Sequence, residues 1–134
     1  MTIENVKDYI KANVDVGAGI QLGSINRNKE CCIGVYQGRS EGNRQNIAIG
    51  GLRNTKTADL PVTILIHWGL APLPALQKRE EIYNLFYGKR SISMAGGTAA
   101  IIEPGSGVIP LGRDKNGIYE YSIELRIIYM KGEK

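Results

Sequence analysis

The sequence predicts one α+β domain, residues 1–134, in which two helices pack against a mostly antiparallel β-sheet. Three observations favour this fold class. Two segments carry apolar residues at helical spacing, several others alternate apolar and polar residues as strands do, and glycines and prolines separate them. With 134 residues, of which 43% are hydrophobic and 22% charged, the chain has the length and composition of a single globular domain.

The two predicted helices lie before and after the first group of strands. The first follows a Thr2 cap and ends near Asn13, with an apolar stripe at helical spacing: Ile3, Val6 and Ile10. The second extends over Ala75–Phe86, where a broad apolar face lies opposite charged residues. Pro72 and Pro74 suit the loop and first turn before it, because proline lacks the backbone N–H that a helix start leaves unpaired.

The predicted strands are, in chain order, Ile20–Leu22, Glu30–Gln37, Ile47–Leu52, Pro61–Trp68, Ser91–Met94, Ala99–Glu103 and Tyr119–Tyr129. The polar stretch Gly38–Asn46 is expected to form the mobile tip of a hairpin. Both faces of Pro61–Trp68 are largely apolar, which predicts a central strand with a helix on one side. Pro104 and Pro110 favour an edge or bulged position, and Asn116-Gly117 predicts a type I′ turn.

The sequence contains no complete motif for enzyme chemistry. Gly88-Lys89 lacks the earlier glycine of a phosphate-binding loop, and the glycines beside Ser106 are not spaced as in a nucleophile elbow. His67 is the only histidine, so one chain cannot supply a two-histidine metal site, and a packed or interface residue is the favoured interpretation. No catalytic, cofactor-binding or metal-binding residue is therefore assigned, and no cofactor is expected.

The cysteines and carboxylates also favour structural roles. Cys31 and Cys32 are adjacent, so their side chains point to opposite faces of a strand, and free thiols in a reducing cytoplasm are expected. Glu120, Glu124 and Arg126 share the polar face of the last strand and are candidates for a cross-strand ion pair or a subunit interface. A small enzyme that uses the histidine or the cysteines is a further hypothesis.

The net charge of +4 leaves a nucleic-acid partner open, although the basic residues are dispersed along the chain. The alternative hypothesis is a nucleic-acid-binding module that uses Arg39, Arg44, Arg53 and Lys56. The longest apolar run, Val62–Trp68, is far shorter than the ~20 residues that cross a bilayer. The first residues also lack the pattern of a secretory signal, so no membrane partner is expected.

Four runs of residues carry a resemblance to a known family. They are Cys32–Tyr36, Ile47–Leu52, Val62–Trp68 and Asn116–Glu124. In this order they resemble the minor capsid protein family encoded in the head–tail gene block of long-tailed phages and prophages of Gram-positive bacteria. Members of this family look like tail terminator or tail completion proteins. None of the runs is a catalytic signature, so the resemblance depends on their combined order.

The resemblance implies a non-enzymatic virion protein that assembles into a closed, hexameric ring. Such a ring caps the tail tube protein, docks to head completion or connector proteins, and lets genomic DNA pass through its lumen without sequence-specific binding. The expected location is the head–tail junction of the virion, after synthesis in the host bacterial cytoplasm. Arg39, Arg44, Arg53 and Lys56 are then candidates for contacts with the lumen or with a partner ring.

Overall fold

The computed structural model describes residues 1–26, 28–38, 57–87, 89–94 and 97–130, and it confirms the predicted α+β class. The elements are α1 (Ile3–Asn13), β1 (Ile20–Leu22), β2 (Cys31–Gln37), β3 (Thr57–Trp68), α2 (Pro72–Phe86), β4 (Arg90–Met94), β5 (Gly97–Arg113) and β6 (Tyr119–Met130). Thr2 is the N-cap of α1, and its backbone N–H donates a 2.8 Å hydrogen bond to the Asn5 side-chain oxygen. Neither helix in these ranges is long and apolar enough to cross a membrane.

The described strands form one sheet in the order β1-β2-β3-β6-β5-β4. Only β1 and β2 are parallel, and every other neighbouring pair is antiparallel. The predicted central strand is confirmed, because β3 lies between β2 and β6 and pairs with β6 from Thr57↔Met130 to His67↔Glu120. This register places the end of β3 beside the beginning of β6.

Both helices pack on the same face of the sheet, where they close the hydrophobic core. Helix α1 contributes Val6 and Ile10, and the rings of Tyr9 and Phe86 bring α1 and α2 together at a centroid distance of 5.8 Å. The sheet contributes alternate residues of its strands, which on β3 are Val62, Ile64, Ile66 and Trp68. The described hydrophobic core therefore lies between one helical layer and one sheet face.

The opposite face of the sheet, here called the second face, carries the other residues of each strand. Across β2, β3 and β6 these include the rows Cys32–His67–Glu120, Gly34–Leu65–Ser122 and Tyr36–Thr63–Glu124. Burial is strongest in the first row, and Arg126 at the far end of β6 is exposed. Polar groups on this face are thus buried at one end of the sheet and hydrated at the other.

Strand β5 departs most from the sequence prediction. It was expected to end at Glu103, but it continues through both prolines to Arg113 and pairs with β6 along this length. The expected bulges are present, with register shifts between Pro104 and Gly107 and between Pro110 and Gly112. Because β4 pairs only with the start of β5, the outer edge of β5 beyond Glu103 faces no strand in the described part of the chain.

Two further expectations need correction, and two others lie outside the described residues. Asn116-Gly117 does not form a type I′ turn, because only Gly117 has a positive φ (83°) and the Gly117 N–H bonds to the Asp114 carbonyl. Helix α2 begins at Pro72, three residues before the predicted start. The predicted hairpin tip Gly38–Asn46, from residue 39 onwards, and the predicted strand Ile47–Leu52 fall in the range that the structure does not describe.

Candidate functional site

A histidine and two carboxylates meet at one end of the second face. His67 is the penultimate residue of β3, Glu120 is its direct neighbour across the β3–β6 pair, and Asp114 begins the β5–β6 turn. His67 Nδ1 lies 2.9 Å from Glu120 Oε2 and 3.8 Å from Asp114 Oδ2. The three ligand-type atoms lie within 4.8 Å of one another. We call His67, Asp114 and Glu120 the carboxylate–histidine cluster.

The side chains of the carboxylate–histidine cluster are largely buried. The His67 side chain is 0% exposed, and the side chains of Asp114 and Glu120 are 7% and 10% exposed. His67 Nε2 has no hydrogen-bond partner among the residues that the structure describes. A buried polar nitrogen that stays unpaired costs about 1–3 kcal/mol.

The β5–β6 turn holds Asp114 in a fixed orientation. Its Oδ1 atom accepts hydrogen bonds from the backbone N–H groups of Asn116 (2.9 Å) and Ile118 (3.0 Å). Because Oδ1 is bonded to the turn, Oδ2 is left pointing toward His67. The turn therefore fixes the Asp114 carboxylate in place near the His67 imidazole.

The Glu120 side chain is buried, whereas the sequence predicted it on the exposed polar face of the last strand. It is buried against His67, so it does not share an accessible polar face with Glu124 and Arg126. Arg126 is partly exposed and lies 3.5 Å from both Asp59 on β3 and Glu103 on β5. These cross-strand ion pairs use acids other than Glu120 and Glu124, and the exposure of Arg126 to water limits their contribution to stability. Glu124 is half-buried and is still a candidate for a subunit contact.

Lys78 of α2 is a charged residue that is buried at the edge of the core. Its Nζ donates hydrogen bonds to the Asp15 carbonyl (2.8 Å) and to Glu81 (3.1 Å), and lies 4.6 Å from the Trp68 ring centroid. The lysine therefore ties α2 to the segment after α1 and has a structural role.

The exposed surface near the start of α2 is unusually apolar. Leu70, Leu73 and Leu76 are 57%, 62% and 37% exposed, and Leu73 and Leu76 are one helical turn apart. Leu70 lies against the β5–β6 turn, where its Cδ2 is 3.6 Å from the position of a Cβ on Gly117. We call these three residues the leucine patch. The patch could not be predicted from the sequence, because Leu70 and Leu73 precede the predicted helix Ala75–Phe86, whereas Leu76 lies within it.

The two cysteines are free thiols in different environments, as expected. Cys32 is buried in the row that contains His67, and its Sγ lies 3.5 Å from the Asn26 carbonyl oxygen. Cys31 lies on the core face and is half-buried. Burial raises the pKa of the Cys31 thiol, and the nearby Glu30 and Asp15 carboxylates raise it further. This environment therefore does not activate the Cys31 thiol for nucleophilic chemistry.

Alkylation should show this low reactivity directly. Because a raised pKa lowers the thiolate fraction at neutral pH, iodoacetamide is expected to label Cys31 several-fold more slowly in the folded chain than in urea. The rate should increase as the pH is raised, and mass spectrometry of the peptides locates the label. In Cys31→Ser, only the still slower labelling of Cys32 should persist. Neutral-pH labelling as fast as in the unfolded chain would contradict the assigned environment.

The four basic residues proposed for lumen or partner contacts lie outside the described residues: Arg39, Arg44, Arg53 and Lys56. Their contacts remain predictions from the sequence. In the comparisons with known proteins, no family model matches the chain and no curated protein is significantly similar to it. The candidate sites therefore depend on the geometry of the carboxylate–histidine cluster and the leucine patch.

Proposed function

We propose that this chain is a non-enzymatic structural subunit that forms a ring at the head–tail junction of a tailed phage. One support is the ordered resemblance to the minor capsid protein family. Cys32–Tyr36 lies in β2, Val62–Trp68 in β3, and Asn116–Glu124 covers the β5–β6 turn and the start of β6. The resemblance thus falls on the inner strands of the sheet, while Ile47–Leu52 lies outside the described residues.

The observation that carries an assembly role is the leucine patch. A soluble monomer seldom clusters large apolar side chains at its surface unless that surface binds a partner. Leu73 and Leu76 project from one face of α2, and Leu111, at the same end of the sheet, is also half exposed. Removal of these side chains from water on assembly would supply the hydrophobic centre that a permanent interface needs.

The deep burial of the only histidine supports a structural role over the enzyme hypothesis. An acid–base group must come within hydrogen-bond reach of a substrate proton. The His67 side chain lies on the second face, but it is fully buried and no substrate can reach it there. Its contacts are with carboxylates of the same chain. The imidazole therefore fits a role in holding the fold better than a role in turnover.

Ring formation is testable with the purified chain and tail tubes. Native mass spectrometry at micromolar concentration should detect a closed oligomer, and electron microscopy should show it at the ends of tail tubes. The tubes are needed because a subunit of this kind can assemble only on its template. A chain that stays monomeric and leaves the tube ends bare would overturn the proposal.

Leu73→Glu should disrupt assembly and leave the fold intact. Leu73 is 62% exposed, so the folded subunit tolerates the charge, whereas burial of an unpaired carboxylate in an interface is costly. We expect oligomer formation to weaken by at least about thirtyfold, the effect of losing about 2 kcal/mol at an interface hot spot. Leu22→Glu, at an exposed leucine on β1, is the matched control. Equal assembly of the Leu73 variant and the control would exclude the leucine patch as the interface.

A further inference from the structure

We propose that His67, Asp114 and Glu120 bind one divalent transition-metal ion of the Zn²⁺ class per chain. The ion joins three segments that are separate in sequence: the end of β3, the β5–β6 turn and the start of β6. Its role is structural, because it fixes the turn to the sheet. This inference does not depend on the proposed ring, and it is tested independently of assembly.

The separations of the ligand atoms fit such an ion. Zn²⁺ binds nitrogen and oxygen ligands at about 2.0–2.2 Å, which places two ligands of a tetrahedral site about 3.3–3.5 Å apart. The distances from His67 Nδ1 to the two carboxylate oxygens, 2.9 and 3.8 Å, lie on either side of this value, and no pair exceeds 4.8 Å. Small side-chain rotations are therefore enough to place all three atoms around one ion.

The cluster is also preorganised for a ligand. The backbone N–H groups of Asn116 and Ile118 hold Asp114 Oδ1, and so direct Oδ2 toward the imidazole. His67 and Glu120 are fixed by direct pairing of β3 with β6. Hydrogen bonds that orient ligating carboxylates from outside are typical of metal sites, and here they are supplied by the main chain.

The distances in the cluster suit a divalent ion better than a shared proton. A proton on Nδ1 reaches Glu120 Oε2 at 2.9 Å, whereas Asp114 Oδ2 lies 3.8 Å away, beyond hydrogen-bond distance. An ion between the three ligand atoms contacts both oxygens at once. Metal binding at Nδ1 places the ring proton on Nε2, which has no hydrogen-bond partner among the described residues.

The ligand set identifies the class of ion. One imidazole and two carboxylates suit Zn²⁺ and neighbouring transition ions, whereas Ca²⁺ and Mg²⁺ prefer all-oxygen sites with more ligands or retained waters. Cys32 stands in the same cross-strand row but is not among the clustered ligand atoms. The site should therefore bind through nitrogen and oxygen without a thiolate.

Calorimetric titration of the EDTA-treated chain with ZnCl₂ tests the site. We expect one ion per chain and a Zn²⁺-dependent rise in Tm. Asp114→Asn and Glu120→Gln should weaken binding by more than the roughly 10- to 100-fold that loss of an outer-shell partner costs. Glu124→Gln, four residues along β6 from Glu120 and on the same face, is the matched control and should bind as the wild type does.

Absence of stoichiometric binding by the folded wild-type chain overturns the proposal, and so does binding that both variants retain. If Glu120→Gln does not fold, Asp114→Asn decides, because asparagine keeps the oxygen that accepts the two turn hydrogen bonds. Titration with Co²⁺ provides a second readout. Ligand-field bands without thiolate-to-cobalt charge transfer are expected, whereas strong charge transfer would show that a cysteine binds the ion and would contradict the assigned ligands.

Discussion

Phe86→Ala is expected to lower the free energy of unfolding by about 3–5 kcal/mol, the usual cost of truncating a fully buried aromatic side chain. Phe86 is 0% exposed at the last turn of α2, and its ring contacts Tyr9 of α1. Truncation therefore leaves a cavity between both helices and the sheet, where no single neighbour can move to fill it. Urea denaturation followed by circular dichroism gives the change in free energy.

The neighbouring aromatic residue is a matched control for Phe86. Tyr87 is 55% exposed and stacks on Tyr83, with ring centroids 5.1 Å apart. Tyr87→Ala should therefore cost no more than about 1 kcal/mol, the value of an exposed aromatic pair. If the two variants were equally stable, the helical layer would not close the core as described.

Gly17→Ala is expected to be the most damaging glycine substitution in the loop between α1 and β1. At φ 66° an L side chain is already strained, and a Cβ there would lie 2.7 Å from both the Cβ and the carbonyl oxygen of Cys31. The oxygen is engaged, because the Ala18 N–H donates to it at 2.7 Å. We expect a loss of about 2–4 kcal/mol, in which left-handed strain and overpacking both contribute.

Gly23→Ala separates these two contributions. Gly23 has nearly the same φ, 68°, but a Cβ there meets no atom within 4 Å. Its substitution should cost only the backbone strain, about 1 kcal/mol or slightly more. Thermal unfolding of the two variants should therefore differ by about 1–3 kcal/mol. Equal losses would show that the loop can move away from β2 without cost.

Local patterns in the sequence predicted most of the fold. The bounds of α1 and β1 agree with the structure because a cap and an apolar stripe, or flanking glycines, mark them locally. The apolar residues on both faces of Pro61–Trp68 correctly predicted a central strand, since β3 lies between β2 and β6. Such signals depend on neighbours within one or two turns of the chain, and those are visible in a single sequence.

The carboxylate–histidine cluster could not be predicted in the same way. His67 and Glu120 are 53 residues apart, and only the register of β3 with β6 makes them neighbours. A shift of one residue in that register would put the glutamate on the opposite face. The sequence does show a histidine near the end of one predicted strand and acidic residues near the start of another. Only the order of the strands in the sheet shows that these residues are neighbours.

Strand β5 shows why two prolines were misleading about strand length. Proline disrupts only one side of a strand when its nitrogen points away from the neighbour, so pairing with β6 continues past Pro104 and Pro110 through local bulges. The sequence shows that each proline lacks a backbone N–H, but it does not show which edge of the strand that position faces. That edge is fixed by long-range pairing.

The same prolines bear on the solubility of the isolated chain. From Glu103 to Arg113 the outer edge of β5 faces no strand in the described part of the chain. An unpaired strand edge can pair with a strand of another molecule and so lead to aggregation. Two prolines and two bulges interrupt the regular row of donors that an incoming strand would need. Concentrated protein should therefore resist conversion to fibrils, while the apolar surface of α2 stays available for ordered association.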